Sequence, residues 1–241
     1  MTRLIQLGDI HLCANPDAII RGHSPQQRFD AAMRSIANET FDYLLLIGDV
    51  SDDGSVASYQ RVIAACDALG IEWGWIPGNH DNPGVMNMLK PLLRHKHFDE
   101  RVLLGLDSWV EGWDGGEVGA TQLAQLRGHL HTTEQPLLLA IHHPPLDGLP
   151  AWMRTISLRD QHDLLAVLSE SAIQPMVLSG HIHHAVDRTR DGIRVLTSPG
   201  CIDQFSLTQD DFHTENALPG FLRLTLKADH VHVEDIRFDI T

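Results

Sequence analysis

The chain has 241 residues, 43% of them hydrophobic, and 18 Lys and Arg against 32 Asp and Glu give it a formal net charge of −14. That length can bury a large core and fits one domain over 1–241 better than two. The acidic balance, without a basic run, argues against a nucleic-acid partner, because phosphate backbones are gripped by clustered cations.

Taken in chain order, short apolar runs alternate with helical patterns. Leu4 to Leu7 runs into Gly8-Asp9-Ile10-His11. A loop over Pro16 to Gln26 follows, then a helix over Gln26 to Asn38 with Phe29, Met33 and Ile36 on one face. Tyr43 to Ile47 runs into Gly48-Asp49. Ser55 to Leu69 predicts a second helix, because Tyr59, Val62, Ile63, Cys66 and Leu69 keep helical spacing, Ser55 can cap the start and Gly70 follows the end. Trp73 to Ile76 runs into Pro77-Gly78-Asn79-His80-Asp81, and Thr121 to Leu130 is a third helix with Leu123, Leu126 and Leu130 inward. Leu137 to Ile141 runs into His142-His143, with Pro144 and Pro145 behind them and a loop over Asp147 to Arg159. Met176 to Leu178 runs into Ser179-Gly180-His181-Ile182-His183. The last third turns to strands at Ile193 to Leu196, Phe221 to Leu226 and Val231 to Phe238, with Lys227-Ala228-Asp229 as a turn. No internal repeat, low-complexity tract or linker divides the chain, and two packed sheets flanked by helices are expected.

Five of the apolar runs end in metal-binding residue types. Each ending has a plain reading: Gly-Asp after a strand is usually a turn, and the prolines after His142 can simply stop a ladder. Gly180-His181-Ile182-His183 is the strongest, since two alternating imidazoles after a buried strand are hard to explain by packing. Ligand sites in α/β sheets lie at the carboxyl ends of strands, so the five endings can share one crevice. Two divalent cations about 3.5–4 Å apart can clamp a phosphoryl group and activate a water, given oxygen and imidazole ligands. Asp49 is the candidate bridge between them. Asp9 and His11 can be ligands of one ion, His181 and His183 can go one to each metal, and Asn79 offers a carbonyl oxygen. His80 is then free for proton transfer or for steadying the phosphate. With no thiolate in any ending, manganese, iron, zinc or cobalt is favoured over a cysteine-built structural zinc site.

The series Asp-x-His, Gly-Asp, Gly-Asn-His-Asp, His, Gly-His-x-His resembles the calcineurin-like metallophosphoesterase superfamily. Gly48 to Gly54, Leu106-Asp107-Ser108, Gly116-Glu117, Gln122-Leu123, His142-His143-Pro144-Pro145 and Thr197-Ser198-Pro199 narrow the likeness to the bacterial class III cyclic nucleotide phosphodiesterases. It runs from the first strand to Pro219-Gly220-Phe221. The resemblance implies a four-layer α-β-β-α sandwich of two mixed sheets flanked by helices. It implies Asp9, His11, Asp49 and His183 around the first metal and Asp49, Asn79, His142 and His181 around the second, with His80 beside the leaving group. The implied reaction is hydrolysis of a small phosphodiester, 3',5'-cyclic AMP to 5'-AMP, by a hydroxide held between two metal ions. Glycerol-type diesters and phosphomonoesters stay open as rival substrates. A non-enzymatic binding module would show missing ligands, and none is missing. Gly8 is one departure, standing where relatives commonly have a hydroxyl residue before the aspartate; it removes no ligand.

The remaining residues carry less. Cys13, Cys66 and Cys201 are too few and too scattered for a disulfide framework and are read as small hydrophobes in a reducing compartment. The chain shows no apolar stretch able to cross a bilayer and no basic, apolar leader, so a cytoplasmic address is expected and a membrane partner is not. His95 with His97, His129 with His131 and His230 with His232 are read as surface residues, and a homodimer is left open. The two long loops are expected to overhang the crevice and set specificity. Trp109, Trp113, Trp152 and Phe205 are candidates for stacking on a base, with core packing or an oligomer contact the favoured alternative.

Overall fold

In chain order the elements are β1 (Thr2–Leu7), α1 (Pro25–Ala37), β2 (Tyr43–Leu46), α2 (Val56–Ala68), β3 (Trp73–Trp75), α3 (Pro83–Leu89), β4 (His95–His97) and β5 (Val102–Gly105). Then come α4 (Gly119–Leu130), β6 (Leu137–Ala140), α5 (Ala151–Arg154), α6 (Gln161–Ser169), β7 (Met176–Ser179), β8 (Val186–Arg190) and β9 (Ile193–Thr197). The short strands β10 (Gln204–Phe205) and β11 (Thr214–Glu215) pair with each other, and β12 (Gly220–Leu226) and β13 (Val231–Arg237) close the chain. The computed structural model describes residues 1–133, 135–172, 175–227 and 229–240, so Ala228 of the expected Lys227-Ala228-Asp229 turn lies outside the described residues.

One sheet has the order β13-β12-β1-β2-β3 and the other β4-β5-β6-β7-β9-β8. Both are mixed. β1, β2 and β3 run parallel, as do β5, β6, β7 and β9, while β12, β13 and the edges β4 and β8 pair antiparallel. A strand covered on both faces needs an apolar side chain at every position, which is why these runs do not alternate with polar residues. Leu44 and Leu46 pack toward α1, α2 and α3, whereas Tyr43, Leu45 and Ile47 meet the opposite sheet. Leu137, Leu139 and Ile141 pack toward α4, α5 and α6, and Leu138 and Ala140 turn to the space between the sheets. Three apolar layers therefore separate four structural ones, giving the expected α-β-β-α sandwich.

Local chemistry sets the helix ends. Ser24 and Ser55 cap α1 and α2 by accepting from Gln27 N and Ser58 N, and Pro25 takes the first position of α1, where its missing N–H is not needed. α4 starts before Thr121 because the Asp160 carboxylate, far along the chain, accepts from Val118 N and Gly119 N. α3 is capped by Asn82 and opened by Pro83, but seven residues are too few to show a helical period. The edge strands β4 and β8 escaped the sequence reading because their side chains are mostly exposed and polar. The paired histidines His95, His97, His131, His230 and His232 are exposed, as expected, while His129 is half-buried.

Parallel strands end on the same side of their sheet. The chain leaving β1, β2 and β3 thus meets the chain leaving β6 and β7 at one end of the sandwich. Leu138, fully buried between the sheets, holds the two halves of that meeting together. Leu138→Ala is expected to lower stability by about 2–5 kcal/mol in denaturant unfolding, the range for a buried leucine that leaves a cavity; a loss below about 1 kcal/mol would contradict this packing.

Candidate metal centre

The endings continue to pair after the strands stop. Ile47 N donates to Leu7 O, Asp9 N to Gly48 O, and Ile10 N and His11 N both to Asp49 O at 2.8 and 2.9 Å. The backbone here is unusual. Seven non-glycine residues among those described have positive φ, and five of them are Asp9 (55°), His11 (55°), Asp49 (48°), His181 (69°) and His183 (45°). Left-handed backbone at non-glycine residues costs about 1–3 kcal/mol each and persists where the surroundings enforce it, often at functional sites. Asp9 and His11 therefore share a tight turn and not a continued strand. Gly48 (φ 93°) and Gly78 permit close approach, since a Cβ would strike the His142 ring at the first and the Asp49 carboxylate at the second.

The side chains form two facing groups. In the first, ligand atoms of Asp9, His11, Asp49 and His183 all lie within 4.8 Å of one another. His11 Nε2 is 3.3 Å from His183 Nε2 and 3.7 Å from Asp49 Oδ2, and His183 Nε2 is 3.6 Å from Asp9 Oδ1. In the second, His142 Nε2 is 3.3 Å from Asp49 Oδ2 and His181 Nδ1 is 3.0 Å from Asn79 Oδ1. Asp49 Oδ2 thus faces both groups. Its other oxygen accepts from His80 N at 2.9 Å, which fixes the carboxylate plane.

Each of the four imidazoles is held from behind by an oxygen. His11 Nδ1 meets Asp52 Oδ1 at 2.9 Å, His183 Nδ1 meets Asp203 Oδ1 at 2.6 Å, His142 Nδ1 meets Ile47 O at 2.8 Å and His181 Nε2 meets Ile156 O at 2.9 Å. Carbonyl and carboxylate oxygens only accept, so the outer nitrogens of His11, His142 and His183 carry hydrogens and, where the ring is neutral, leave the inner nitrogen a lone pair, whereas His181 has an acceptor oxygen at each nitrogen, Ile156 O at Nε2 and Asn79 Oδ1 at Nδ1. That arrangement orients imidazoles toward a cation. The inner nitrogens of His11 and His183, 3.3 Å apart, then repel unless something positive stands between them. Asp9 Oδ2 is buried without a hydrogen-bond partner among the described residues, which is costly for a polar atom unless another ligand uses it, and the inner nitrogen of His142 has only Asp49 Oδ2 at 3.3 Å. The residues fit two divalent cations.

The electrostatics point the same way. Burial opposes the charge on Asp49, yet the imidazoles of His142 and His11 hold its carboxyl well below the usual carboxylate range. Burial likewise opposes a charge on His142, but Asp49 overcomes it and raises that imidazole to about 9. The centre calls for positive charge. Burial, with His143 and His142 beside it, keeps His181 well below the usual imidazole range. His143 lies in a buried group with His142 and His181, but both its ring nitrogens are engaged elsewhere, and burial and the neighbouring His142 push it down to about 3. Neutral, it donates Nε2–H to Asp114 O at 3.1 Å and accepts Ser108 Oγ–H at Nδ1 at 2.8 Å.

Several supporting residues were missed by sequence reasoning. Asp52 faces both His11 and, at 3.4 Å, His80 Nδ1; its place in Gly48-Asp49-Val50-Ser51-Asp52 was the available signal. Asp81, buried, accepts from Gly78 N, Val50 N, Ser51 N and Tyr59 Oη, tying the β2 and β3 endings together. Burial and the charge of Asp49 raise it to about 6 against those backbone donors. Asp203 carried no sequence signal, since it is near His183 only in space. His80 is one-third exposed and sits beside His11 with ring centres 4.7 Å apart.

A cavity of about 140 Å³ opens over these groups. Both long loops reach it: Arg21 comes from Pro16–Gln26, while Trp152 and Ile156 come from Asp147–Arg159, which folds partly as α5. Of the four aromatic candidates, Trp152 and Phe205 line the cavity, and Phe205 stacks on His183 at 3.9 Å. Trp109 and Trp113 do not line it; Trp113 packs under Arg159. Larger clefts of about 490 Å³ lie between α6 and the β8–β9 edge and near Arg101 and Arg194, away from the metal-binding groups. The cysteines are free; Cys66 and Cys201 are buried, which pushes both thiols up to about 12.

The chain is similar to known proteins in sequence and in shape. It is 32% identical over 238 residues to the 3',5'-cyclic adenosine monophosphate phosphodiesterase CpdA of Vibrio vulnificus, covering 94% of this chain and 86% of that one. It is 34% identical over 234 residues to a 3',5'-cyclic-nucleotide phosphodiesterase of Nostoc sp., with 94% and 88% covered. A dimetal phosphatase from Danio rerio superposes with a TM-score of 0.75 at 14% identity, over all of this chain and 96% of that one, which shows a shared fold. The family model described as calcineurin-like phosphoesterase matches residues 2–210, and with that match and those relatives the chain belongs to the calcineurin-like phosphoesterase family.

Proposed function

We propose that this chain, folded as one domain over 1–241, hydrolyses a small phosphodiester, 3',5'-cyclic AMP to 5'-AMP, with two divalent cations held by the facing groups. The observation that carries the reading is the set of inward imidazole nitrogens, of His11, His142, His181 and His183, around the Asp49 carboxylate. Asp9, His11, Asp49 and His183 would hold one cation, and Asp49, Asn79, His142 and His181 the other. The donor set of oxygens and imidazoles suits manganese, iron, zinc or cobalt. Two such cations would supply a clamp for the phosphoryl group and a water acidic enough to attack phosphorus.

The chain's own residues do the rest. His80 turns Nδ1 to Asp52, leaving Nε2 to give a proton to the departing 3' oxygen. Asp52 positions both His80 and His11, so it couples the proton donor to the first metal group. The cyclic nucleotide as substrate is supported by the relatives named for it, matched over 94% of this chain. No helix among the described residues is long and apolar enough to cross a membrane, and a cytoplasmic address fits a nucleotide substrate and three free cysteines. A homodimer is compatible with this reading and is not required by it.

Two outcomes check it. His80→Ala is expected to cut turnover by about 10²–10⁴ with metal content unchanged, and to cut it less for substrates with good leaving groups. Equal losses on p-nitrophenyl and alkyl esters contradict the acid role, and lost metal makes His80 a ligand instead. Purified, metal-replete protein is expected to release 5'-AMP from 3',5'-cyclic AMP, followed by chromatography. Brisk cleavage of bis-p-nitrophenyl phosphate with no AMP released after long incubation would sink the cyclic nucleotide and favour a glycerol-type diester.

A further inference from the structure

Arg21 lies in the loop between β1 and α1 with left-handed backbone, φ 48°. The turn around it is closed by Ile20 and His23, each donating its N–H to the other's carbonyl at 2.8 and 2.9 Å. A non-glycine residue held there is strained unless side-chain contacts offset the strain. Arg21 makes such contacts. Only a quarter of the Arg21 side chain is exposed; Nε donates to Asp203 Oδ2 at 2.6 Å and Nη2 to Asp203 Oδ1 at 3.4 Å. The guanidinium carbon also lies 5.5 Å from the centre of the Phe205 ring. Asp203 is the same carboxylate that accepts from His183.

One edge of the guanidinium is therefore anchored, and no hydrogen bond to a described residue engages Nη1. Arg21 is also the one Lys or Arg among the described residues lining the cavity with Asp49, Asn79 and His80. A phosphodiester brings one negative charge spread over two non-bridging oxygens. It enters a cavity that Asp49 and Asp114 help to line, in a chain of net charge −14. A guanidinium stays charged at any working pH, presents a flat fork to such oxygens and stacks on aromatic faces. Because Asp203 and Phe205 already hold it, little side-chain freedom is left to lose when the anion binds.

We propose that Arg21 is a substrate-binding residue that grips a non-bridging phosphate oxygen through Nη1, with Asp203 as the positioning residue that aims it. This rests on the reading of the cavity as a phosphodiester site. The grip is indifferent to the organic part of the ester, so free phosphate and a nucleoside 5'-phosphate use it too. It also gives Asp203 two tasks, holding His183 for the metal and Arg21 for the anion.

Calorimetric titration of inorganic phosphate into metal-replete protein tests this, with metal content and melting temperature recorded for each variant. Arg21→Met is expected to weaken phosphate binding about 10–100-fold, the loss for one charge-assisted hydrogen bond pair, with metal content unchanged. Arg21→Lys keeps the charge without the fork and is expected to lose about 3–10-fold, which decides the matter should the Met variant not fold. Phosphate affinity equal to wild type in either variant overturns the proposal. So does loss of metal together with phosphate, which would confine Arg21 to supporting His183 through Asp203. Should wild-type protein release no AMP from cyclic AMP while Arg21→Met still loses phosphate affinity, the substrate reading fails and the role of Arg21 stands.

Discussion

A buried carboxylate facing two sets of imidazole nitrogens is the constraint on which the rest of the structure depends. Asp49 is only 2% exposed, and one of its oxygens is committed to a backbone N–H. The other oxygen lies within 4 Å of inner nitrogens from both groups. Removing such a charge from water costs several kcal/mol unless it is paired. The chain supplies that pairing only in part, through His142. Two cations would answer the carboxylates of Asp9 and Asp49 and relieve the His11–His183 contact at the same time. Metal binding would therefore add stability to the folded centre.

The sandwich explains why the centre is rigid enough for this. Each ending leaves a strand buried on both faces, so its position is set by three apolar layers and not by the loop itself. The left-handed residues near β1 and β2 are held by ladder bonds that continue past the strands, such as Ile10 N and His11 N to Asp49 O, with the Asp81 carboxylate fixing Val50 and Ser51 just after Asp49, while His181 N donates to Asp9 Oδ1. Strain is tolerated at the centre because nothing around it can relax.

Much of this was legible in the sequence because the site is made of strand endings. A buried strand announces itself by an unbroken apolar run, and the residue types that stop it are then easy to see. The seven proposed ligands, Asp9, His11, Asp49, Asn79, His142, His181 and His183, are brought together as the runs implied. What stayed hidden depends on contacts between distant segments. Asp203 holds His183 from 20 residues along the chain, Asp160 caps a helix 41 residues away, and the carbonyls of Ile47 and Ile156 orient imidazoles without any side chain to betray them. The edge strands β4 and β8 lack apolar runs, and α3 is too short for a period. Of four aromatic residues weighed alike, only the two on segments folded over the site reach the cavity, a matter of loop path that composition does not encode.

Electron paramagnetic resonance of protein loaded with Mn(II) tests the shared centre most directly, because two ions bridged by one carboxylate influence each other's spins and two separate ions do not. The account predicts saturation at two equivalents per chain with a spin-coupled signal, which Asp49→Asn abolishes. Saturation at one equivalent, or two equivalents giving only the six-line signal of isolated Mn(II), would contradict it.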